Sequence, residues 1–286
     1  MEGWLFKHSA WIYWGSVAAI SLFLGIWEGL RPRRANSLSR PHRWLMNGFL
    51  STLTDAITIS VFRIGAVAVA FAVNHSAYGL LNRASLPYPV AVLLTFLMLD
   101  LTFYANHYLH HSVPLLWRFH QVHHSDHDVD FSTGLRFHPG DQLTSQLVYL
   151  LVVAILAPPP SAVAFFELAN ITQILFSHAN LRLPGRIERS LGLVLVTPEF
   201  HRIHHSVDVA HQRSNLAVVF SFWDRLFRTR LDRAGESNDQ MRFGLEEVTA
   251  AQSIQPLAML MLPFASAREP RPQPQSALQT GSGKAS

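Results

Sequence analysis

The residues best able to do chemistry in this chain are its histidines, which are crowded into two parts of the sequence. Eight of the 16 histidines lie between His107 and His138. A second cluster, His-Arg-Ile-His-His, occupies residues 201–205, and His178 stands between the two. Neutral imidazole is a good ligand for iron, copper, nickel and zinc. The crowding therefore indicates a metal site rather than scattered surface or core histidines.

The spacing of these histidines places them on shared helix faces, because residues three and four apart lie on one side of a helix. The pattern occurs in three sets: His107 and His111; His120, His123 and His124; and His201, His204 and His205. An isolated histidine is more often structural than a metal ligand. A triplet that occurs twice, beside a pair with matching spacing, is not expected by chance. Three converging faces supply more nitrogens than one tetrahedral ion uses, so we predict a site for two metals.

The composition indicates a membrane protein. Of the 286 residues, 49% are hydrophobic and only 15% are charged, which is few charges for a soluble protein. The absence of cysteine excludes disulfides, zinc ribbons and thiolate-bound iron–sulfur clusters. The formal charge is +4, and all basic residues except Lys7 and Lys284 are arginines beside apolar blocks. We expect membrane headgroups, and no nucleic acid, to be their partner.

Apolar blocks long enough to cross a bilayer predict an all-α, polytopic membrane helical bundle. About 20 helical residues span the apolar core of a bilayer. The predicted spans are residues 11–30, 50–73 and 89–106, followed by a helical hairpin at 143–176 that the prolines at 158–160 interrupt. These elements form one membrane-embedded domain over residues 1–266, and the polar, proline-rich residues 267–286 are predicted to be a disordered tail.

The arginine distribution predicts the orientation in the membrane. Five arginines lie in the loop at 31–43, against one in the turn at 75–86. By the positive-inside rule the first loop is cytoplasmic. The N-terminus should then lie outside, while the C-terminus and a histidine-rich di-metal region at 107–142 and 177–245 lie in the cytoplasm. Either a bacterial inner membrane or the endoplasmic reticulum suits this arrangement.

The third span carries a stripe of functional candidates. Asp100, Tyr104, His107 and His111 follow one another at offsets of four, seven and eleven. Two interpretations stay open for Asp100, which could pair within the bundle or could orient a ligand and line the substrate path. Spacing alone does not decide between His110 and His111 as the partner of His107. The stripe favours His111, which lies within about 20° of Asp100, whereas His110 stands about 80° away.

At this point the motifs resemble those of the fatty acid hydroxylase/sterol desaturase superfamily of integral-membrane di-metal oxygenases. That family carries a His-x-x-x-His motif followed by two His-x-x-His-His motifs. The resemblance covers residues 10–245 and extends beyond the histidines to Leu116–Ser125, Arg136–Pro139, Phe176–Asn180, Pro198–Ser206 and Trp223–Phe227. The chain departs from the pattern at Tyr108, Asn215–Ala217 and Arg228–Arg230, which leaves the ligand motifs intact.

The resemblance implies a set of ligands. It favours His111, which stands just before Val113–Trp117, and it adds His138 and His178 as ligands. Asn180 joins Asp100 and Tyr104 as a support of the ligands, while His127 and His211 fall outside the repeated spacings and are expected in loops. The implied metal ligands are His107, His111, His120, His123, His124, His138, His178, His201, His204 and His205.

What the resemblance implies for function is iron-dependent oxygen chemistry on a membrane lipid. Two iron ions, which zinc can replace on overexpression, would use O2 to hydroxylate or desaturate an unactivated C–H bond of a sterol, fatty acyl or alkyl lipid. Two electrons would come from an external donor such as a cytochrome b5-like protein, a ferredoxin or a flavin reductase. The lipid is expected to enter sideways from the bilayer.

Two other functions were weighed against this one. A membrane zinc hydrolase would need a catalytic glutamate in a motif such as His-Glu-x-x-His, and none of the histidine motifs contains one. A metal transporter or haem-binding protein would place its ligands at mid-membrane, whereas these histidines follow the ends of the spans. The sequence therefore favours the lipid oxygenase.

Overall fold

Helices form the regular structure of residues 2–74, 78–232 and 239–265, the parts of the chain that this computed structural model describes. In those ranges there is no β-strand, and two isolated bridges join loops at Leu195–Phe220 and Ser206–Phe243. The all-α prediction is confirmed. The tail predicted to be disordered, residues 267–286, lies outside the described residues.

The long helices come first in the chain and the short ones follow the second histidine cluster. The N-terminal part contains α1 (Glu2–Leu30), α2 (Arg40–Phe62), α3 (Ala66–Val73), α4 (Leu80–Arg83), α5 (Tyr88–Ser112) and α6 (Pro114–His124). A 3₁₀ turn at Phe131–Leu135 leads into α7 (Pro139–Leu156) and α8 (Pro160–His178). The remaining helices are α9 (Gly185–Leu191), α10 (Pro198–His204), α11 (Val209–Gln212), α12 (Phe222–Leu226), α13 (Ala250–Ser253) and α14 (Pro256–Met261), with a final 3₁₀ turn at Leu262–Phe264.

Four segments are long and apolar enough to cross a membrane, namely Lys7–Leu30, Arg40–Val73, Tyr88–Ser112 and Pro139–Leu156. The second of these is broken between α2 and α3, where Arg63 adopts a left-handed backbone with φ of 55°. Prolines also separate α7 from α8, because a proline cannot continue a helix beyond its first turn. Insertion of α7 and α8 as a hairpin stays a prediction.

Packing of the long helices builds the core. Leu99 of α5, Val153 of α7 and Phe166 of α8 are fully buried in one cluster that also takes in Ala66 of α3. A second cluster joins α1 to α8 through Leu24 and Leu175 among others. Aromatic rings tilt against one another in this core, as where Phe166 meets Phe96 and Phe103. The last turns of α5, α6 and α8 carry histidines.

Glu28 fastens α1 to this histidine-bearing end. Its carboxylate is fully buried and accepts the backbone N–H groups of Phe131, at 3.0 Å, and Asn180, at 2.7 Å. The polar side chain is tolerated in the interior because one of its carboxylate oxygens meets two backbone donors.

A buried ionic cluster holds α2 against the segment after α6. The Arg43 guanidinium donates to both oxygens of Asp126, at 2.9 and 2.7 Å, and to Asp130 at 2.5 Å. Burial raises the pKa of Asp126, but the charges of Arg43 and Arg136 outweigh it and hold that pKa well below its usual range. The Arg136 guanidinium in turn donates to the carbonyl of Val122 and to Asn47. This cluster fixes the end of α6, where three histidines lie.

Candidate metal centre

Four helices bring nine histidines together in two groups. Helices α5, α6, α8 and α10 contribute them from positions as far apart as 107 and 205. In each group, one ring nitrogen of every member lies within 4.8 Å of those of the others. The first group contains His107, His111, His120, His124 and His204, and the second contains His123, His178, His201 and His205.

The second group is drawn together around the Nε2 atom of His178. That atom lies 3.1 Å from the Nε2 atoms of His201 and His205, and 3.2 Å from that of His123. The Nε2 atoms of His201 and His205 are themselves 3.2 Å apart. Nitrogens bound to one metal at about 2.0–2.1 Å approach each other to about this distance. Four lone pairs so close together are stable only around a cation.

The first group shows the same need for a cation in another way. Its rings meet edge-on, with centroids 4.6–4.9 Å apart around His111. Within the described ranges, these buried nitrogens have no hydrogen-bond partner: Nε2 of His107, His111, His120 and His204, and both nitrogens of His124. A buried polar atom without a partner costs about 1–3 kcal/mol. A metal ion would satisfy one nitrogen of each of these five rings.

Hydrogen bonds on the outer ring nitrogens determine which nitrogen can bind metal. The Nδ1 atoms of His107, His178 and His204 lie 2.8, 2.7 and 2.9 Å from the carbonyls of Leu216, Ile174 and Ser214. A carbonyl only accepts, so each Nδ1 carries the proton and each Nε2 keeps its lone pair. Such outer hydrogen bonds orient metal-binding imidazoles. The donor set therefore fits metal ions, and imidazole is the chemistry that iron and zinc accept.

Asp141 orients His120 in a way that the sequence did not reveal. Its carboxylate accepts the Nδ1–H of His120 at 2.7 Å and is buried in the first turn of α7. A negative charge on the far side of an imidazole raises its basicity as a ligand. The available signal was an acidic residue directly after the His138-Pro-Gly140 run, but its partner depends on how α7 packs against α6.

We predict that Asp141→Asn lowers metal affinity by about 10–100-fold, the cost usual for losing an outer partner of a metal-binding histidine. The amide is neutral and can present its NH2 group to Nδ1, which disfavours the required tautomer. Competition with a chelator of known affinity measures the effect. Asp208→Asn, at an exposed helix cap, is the control and should bind like wild type. Unchanged affinity in Asp141→Asn would show that this carboxylate does not support the ligand.

Burial keeps the histidines in the neutral form that binds metal. Loss of solvent, followed by the charges of neighbouring histidines, lowers the pKa of His123, His124 and His205 well below the usual value. The same two causes act on His120, His201 and His204. Neutral rings at physiological pH can bind a cation without first releasing protons.

A cavity of about 520 Å³ connects both groups to the membrane-facing side of the bundle. His107 and His120 of the first group and His123, His178 and His201 of the second form its inner end. Most of the remaining wall is contributed by α1, α2, α3, α7 and α8. Its outer end includes the side chains of Trp14, Ile59 and Ile64, which are exposed on the bundle surface.

Comparison with known proteins agrees with this geometry. The sequence profile of the family described as Fatty acid hydroxylase matches residues 92–229, which contain all nine clustered histidines. The chain is 30% identical over 172 residues to the alkylglycerol monooxygenase of Danio rerio, covering 60% of this chain and 36% of that protein. These similarities support its assignment to the fatty acid hydroxylase/sterol desaturase superfamily.

Two further relatives of the chain carry other names. The human cholesterol 25-hydroxylase is 29% identical over 48% of this chain and 50% of its own length. The ornithine lipid hydroxylase OlsE of Rhizobium tropici is 25% identical over 78% of this chain and 67% of its own length. The similarity to the alkylglycerol monooxygenase from Danio rerio, by comparison, covers little more than a third of that protein's length. No solved structure matches the chain.

Each histidine triplet is divided between the two groups. Its spacing had suggested instead that all three side chains point in one direction. His120 and His124 belong to the first group, whereas His123 between them belongs to the second. In α10 the division is reversed, because His201 and His205 join the second group and His204 joins the first. Residues four apart overlie one another, and the residue three along lies to one side. Each triplet therefore contributes histidines to both groups.

His138, which the superfamily resemblance made a ligand, lies outside both groups. Its Nδ1 accepts the backbone N–H of Gly140 at 2.9 Å and so caps α7. Its Nε2 lies 3.3 Å from the carbonyl of Leu260, and its ring stacks on Phe119. With one nitrogen accepting and the other facing a carbonyl, neither is directed toward a metal. A helix cap and a ligand can share one sequence motif, and the packing of α14 decides between them.

Asp100, Tyr104 and Asn180, which were predicted to support the ligands, make hydrogen bonds to loops. None of these hydrogen bonds involves a clustered histidine. Asp100 accepts the backbone N–H groups of Val219 and Phe220 and the indole N–H of Trp223. This is the structural interpretation of Asp100, and it fixes the loop whose Leu216 carbonyl holds His107. The Tyr104 hydroxyl lies 2.8 Å from that of Thr229, while Asn180 binds the backbone of Arg34.

Three other histidines also lie outside both groups. The Nδ1 of His110 lies 2.8 Å from the carbonyl of Asn106, one turn earlier in α5, and its Nε2 faces the hydroxyl of Thr144. His127 lies 2.7 Å from the carbonyl of Val248, and His211 lies 2.8 Å from the hydroxyl of Ser206. Of the two candidates after His107, the structure brings His111 to the metal centre.

Proposed function

We propose that this protein is a membrane-bound di-iron oxygenase that hydroxylates or desaturates an unactivated C–H bond of a lipid, using O2 and two external electrons. The observation that carries the proposal is the apolar cavity that ends on both histidine groups. The named relatives are a monooxygenase and two hydroxylases, which supports oxidation of a lipid. An electron donor outside the chain completes the reaction.

The donor set supports iron. Nine imidazoles without a thiolate suit Fe(II), and zinc competes for the same nitrogens when it is abundant. When bound, two irons supply activation of O2 and the removal of hydrogen from an unactivated carbon. The rest of the catalytic environment comes from the chain. The Nδ1–H bonds of His107 and His204 hold the ligand nitrogens in place, and the buried walls exclude water from the reacting carbon.

The direct test of this function is lipid mass spectrometry of cells with and without the protein. We expect a lipid class that gains one oxygen atom, or loses two hydrogens, only in cells that make the protein and receive oxygen. Cells making His205→Ala are the matched control, because that substitution removes a ligand of the second group. If the lipid profiles of cells with and without active protein coincide in air, the protein does not oxidise a lipid.

The two histidine groups predict two metals per chain. Protein purified without oxygen from iron-fed cells should carry about two irons, measured by elemental analysis, while zinc should take their place after overexpression in zinc-rich medium. His138→Ala is the control, since His138 lies in neither group, and should keep both metals. A ratio of one metal per chain that no single ligand substitution changes would contradict the two-metal centre.

We propose that the N-terminus lies outside the cytoplasm and that the metal centre and the C-terminus lie inside. The proposal rests on the five arginines of the 31–43 loop, against one in residues 75–86. Reporter fusions at position 80 and at the C-terminus should give opposite signals, external at 80 and cytoplasmic at the end. A cytoplasmic signal at position 80 would invert the proposed orientation.

A further inference from the structure

The cavity wall carries a cluster of polar side chains away from the metal centre. Tyr13 of α1, Asp55 of α2, Tyr149 of α7, and Glu167 and Asn170 of α8 all line it. Tyr13 interacts electrostatically with both carboxylates, and Tyr149 with Glu167 and Tyr13. Four helices thus direct polar groups at one region of an apolar cavity. We call these five residues the polar subsite.

The polar subsite contains an unmet acceptor. The Oδ1 of Asn170 is buried, in a residue only 8% exposed, and within the described residues it accepts no hydrogen bond, while the buried Tyr149 hydroxyl has only the Glu167 carboxylate beside it. Buried polar atoms in native proteins are nearly always hydrogen-bonded. Inside a membrane-embedded bundle an unmet polar group is costly, so such side chains commonly mark a binding site. A ligand in the cavity would supply the missing hydrogen bonds.

The polar subsite lies at a defined depth from the metal centre. Tyr149 stands eight residues after Asp141 on α7, and Asn170 stands eight residues before His178 on α8. At 1.5 Å per helical residue this is about 12 Å along each helix. A lipid held by its polar end at this position would therefore present a carbon far from its headgroup to the histidines.

The charges of the polar subsite select the kind of headgroup. Asp55 and Glu167 bring two carboxylates, and the Oδ1 of Asn170 is a further acceptor. Asp55 accepts one internal hydrogen bond, from Ser51 at 3.2 Å. Among the described residues of the wall, the only arginine or lysine is Arg63, which is exposed at the helix break. An anionic headgroup would face carboxylates and a further hydrogen-bond acceptor, which would repel it. A headgroup that donates hydrogen bonds would find acceptors in the same groups.

We propose that the polar subsite binds the headgroup of the lipid substrate through hydroxyl or ammonium donors, and that it discriminates against carboxylate headgroups. The proposal rests on the proposed oxygenase function for the identity of the cavity as a substrate site. It makes Asp55, Tyr149, Glu167 and Asn170 specificity-determining residues for that substrate. A hydroxyl head and an ammonium head share this donor chemistry, and the charge of the carboxylates separates them.

The test is a binding measurement on the full-length protein in lipid nanodiscs, with three probes of the same chain length. Hexadecylglycerol, hexadecylamine and palmitate compete against labelled hexadecylglycerol. We expect the two donor-headed probes to bind wild type at least about tenfold more tightly than palmitate, as a hydrogen bond to a charged group requires. Equal affinity of wild type for palmitate would overturn the proposal.

Substitutions identify the residues responsible. In Asp55→Asn with Glu167→Gln, we expect hexadecylamine to lose about tenfold in affinity and palmitate to lose none. A loss confined to hexadecylglycerol in Tyr149→Phe would assign the hydroxyl head instead. Thr172→Val, an exposed position on the outer side of α8, is the matched control and should bind all three probes as wild type does. Full metal content in each variant shows that the bundle has folded, and affinities unchanged in every subsite variant would also overturn the proposal.

Turnover separates this proposal from the proposed function. If wild type oxidises the donor-headed probes, the variants should raise KM for them and leave kcat nearly unchanged. If wild type oxidises no probe but binds them with the stated preference, the oxygenase function fails and the headgroup subsite stands. If wild type oxidises palmitate and hexadecylglycerol equally and the variants change neither KM, the subsite fails and the oxygenase function stands.

Discussion

His111→Ala should abolish turnover and release metal, whereas His110→Ala should keep both within several-fold of wild type. The Nε2 atom of His111 is buried and unbonded within the described ranges, and its ring meets those of His107, His120 and His204. Loss of this imidazole leaves the remaining ligands without their common geometry. His110 instead makes its hydrogen bonds within α5 and to α7.

Two adjacent residues therefore give opposite results in the same experiment. Metal analysis and lipid turnover of the two purified variants measure the difference, with His127→Ala and His211→Ala as additional controls that lie outside both groups. Loss of metal from His110→Ala together with retention in His111→Ala would mean that α5 is rotated about its axis relative to this structure.

Arg43→Met should lower the free energy of unfolding by about 3–5 kcal/mol, the cost of leaving buried carboxylates without their cation. Arg43 is 1% exposed and is the shared partner of Asp126 and Asp130. Asp126 also accepts from Thr133 at 2.9 Å, so its displacement would disturb the 3₁₀ turn. Thermal unfolding in detergent measures the change, and metal content should fall with it because His123 and His124 end the adjoining helix.

Arg242→Met is the matched control for this prediction. Arg242 pairs with Glu246 at 3.7 Å, but both side chains are about three-quarters exposed, at 74% and 75%. An exposed pair contributes about 0–1 kcal/mol, so unfolding should be nearly unchanged. Equal unfolding temperatures for the two variants would show that the Arg43 cluster does not hold α2 to the segment after α6.

The histidine spacing was sufficient to identify most of the clustered histidines because it is a local property of helices. The i, i+3 and i+4 repeats identified eight of the nine histidines that the structure brings together, and the family resemblance added His178. Spacing could not tell that His123 and His204 separate from their neighbours, since that division depends on the rotation of α6 and α10 against α8. His138 lies outside both groups because its ring nitrogens face Gly140 and Leu260, and Leu260 lies 122 residues away.

The apolar blocks predicted the long helices because the length and hydrophobicity of a segment are also local properties of the sequence. They did not predict the polar contacts between those helices. Composition located the segments now seen as α1, α5 and α7. It did not show that Glu28 is buried against Asn180, or that Arg43 leaves the basic loop for the interior. The sequence pattern around a charged residue near the end of a span is the same whether its side chain faces lipid headgroups or a buried partner. Only the packing of distant segments distinguishes the two.

The division of α10 between the two histidine groups sets an order for assembly of the protein during synthesis. When the chain has been made only as far as α8, the first group has four of its five imidazoles and the second has two of its four. Both groups are completed by the same seven-residue helix, Pro198–His204, and by His205 directly after it. The last histidines of both groups are therefore synthesised together, and a chain truncated before residue 198 would lack three of the nine clustered histidines.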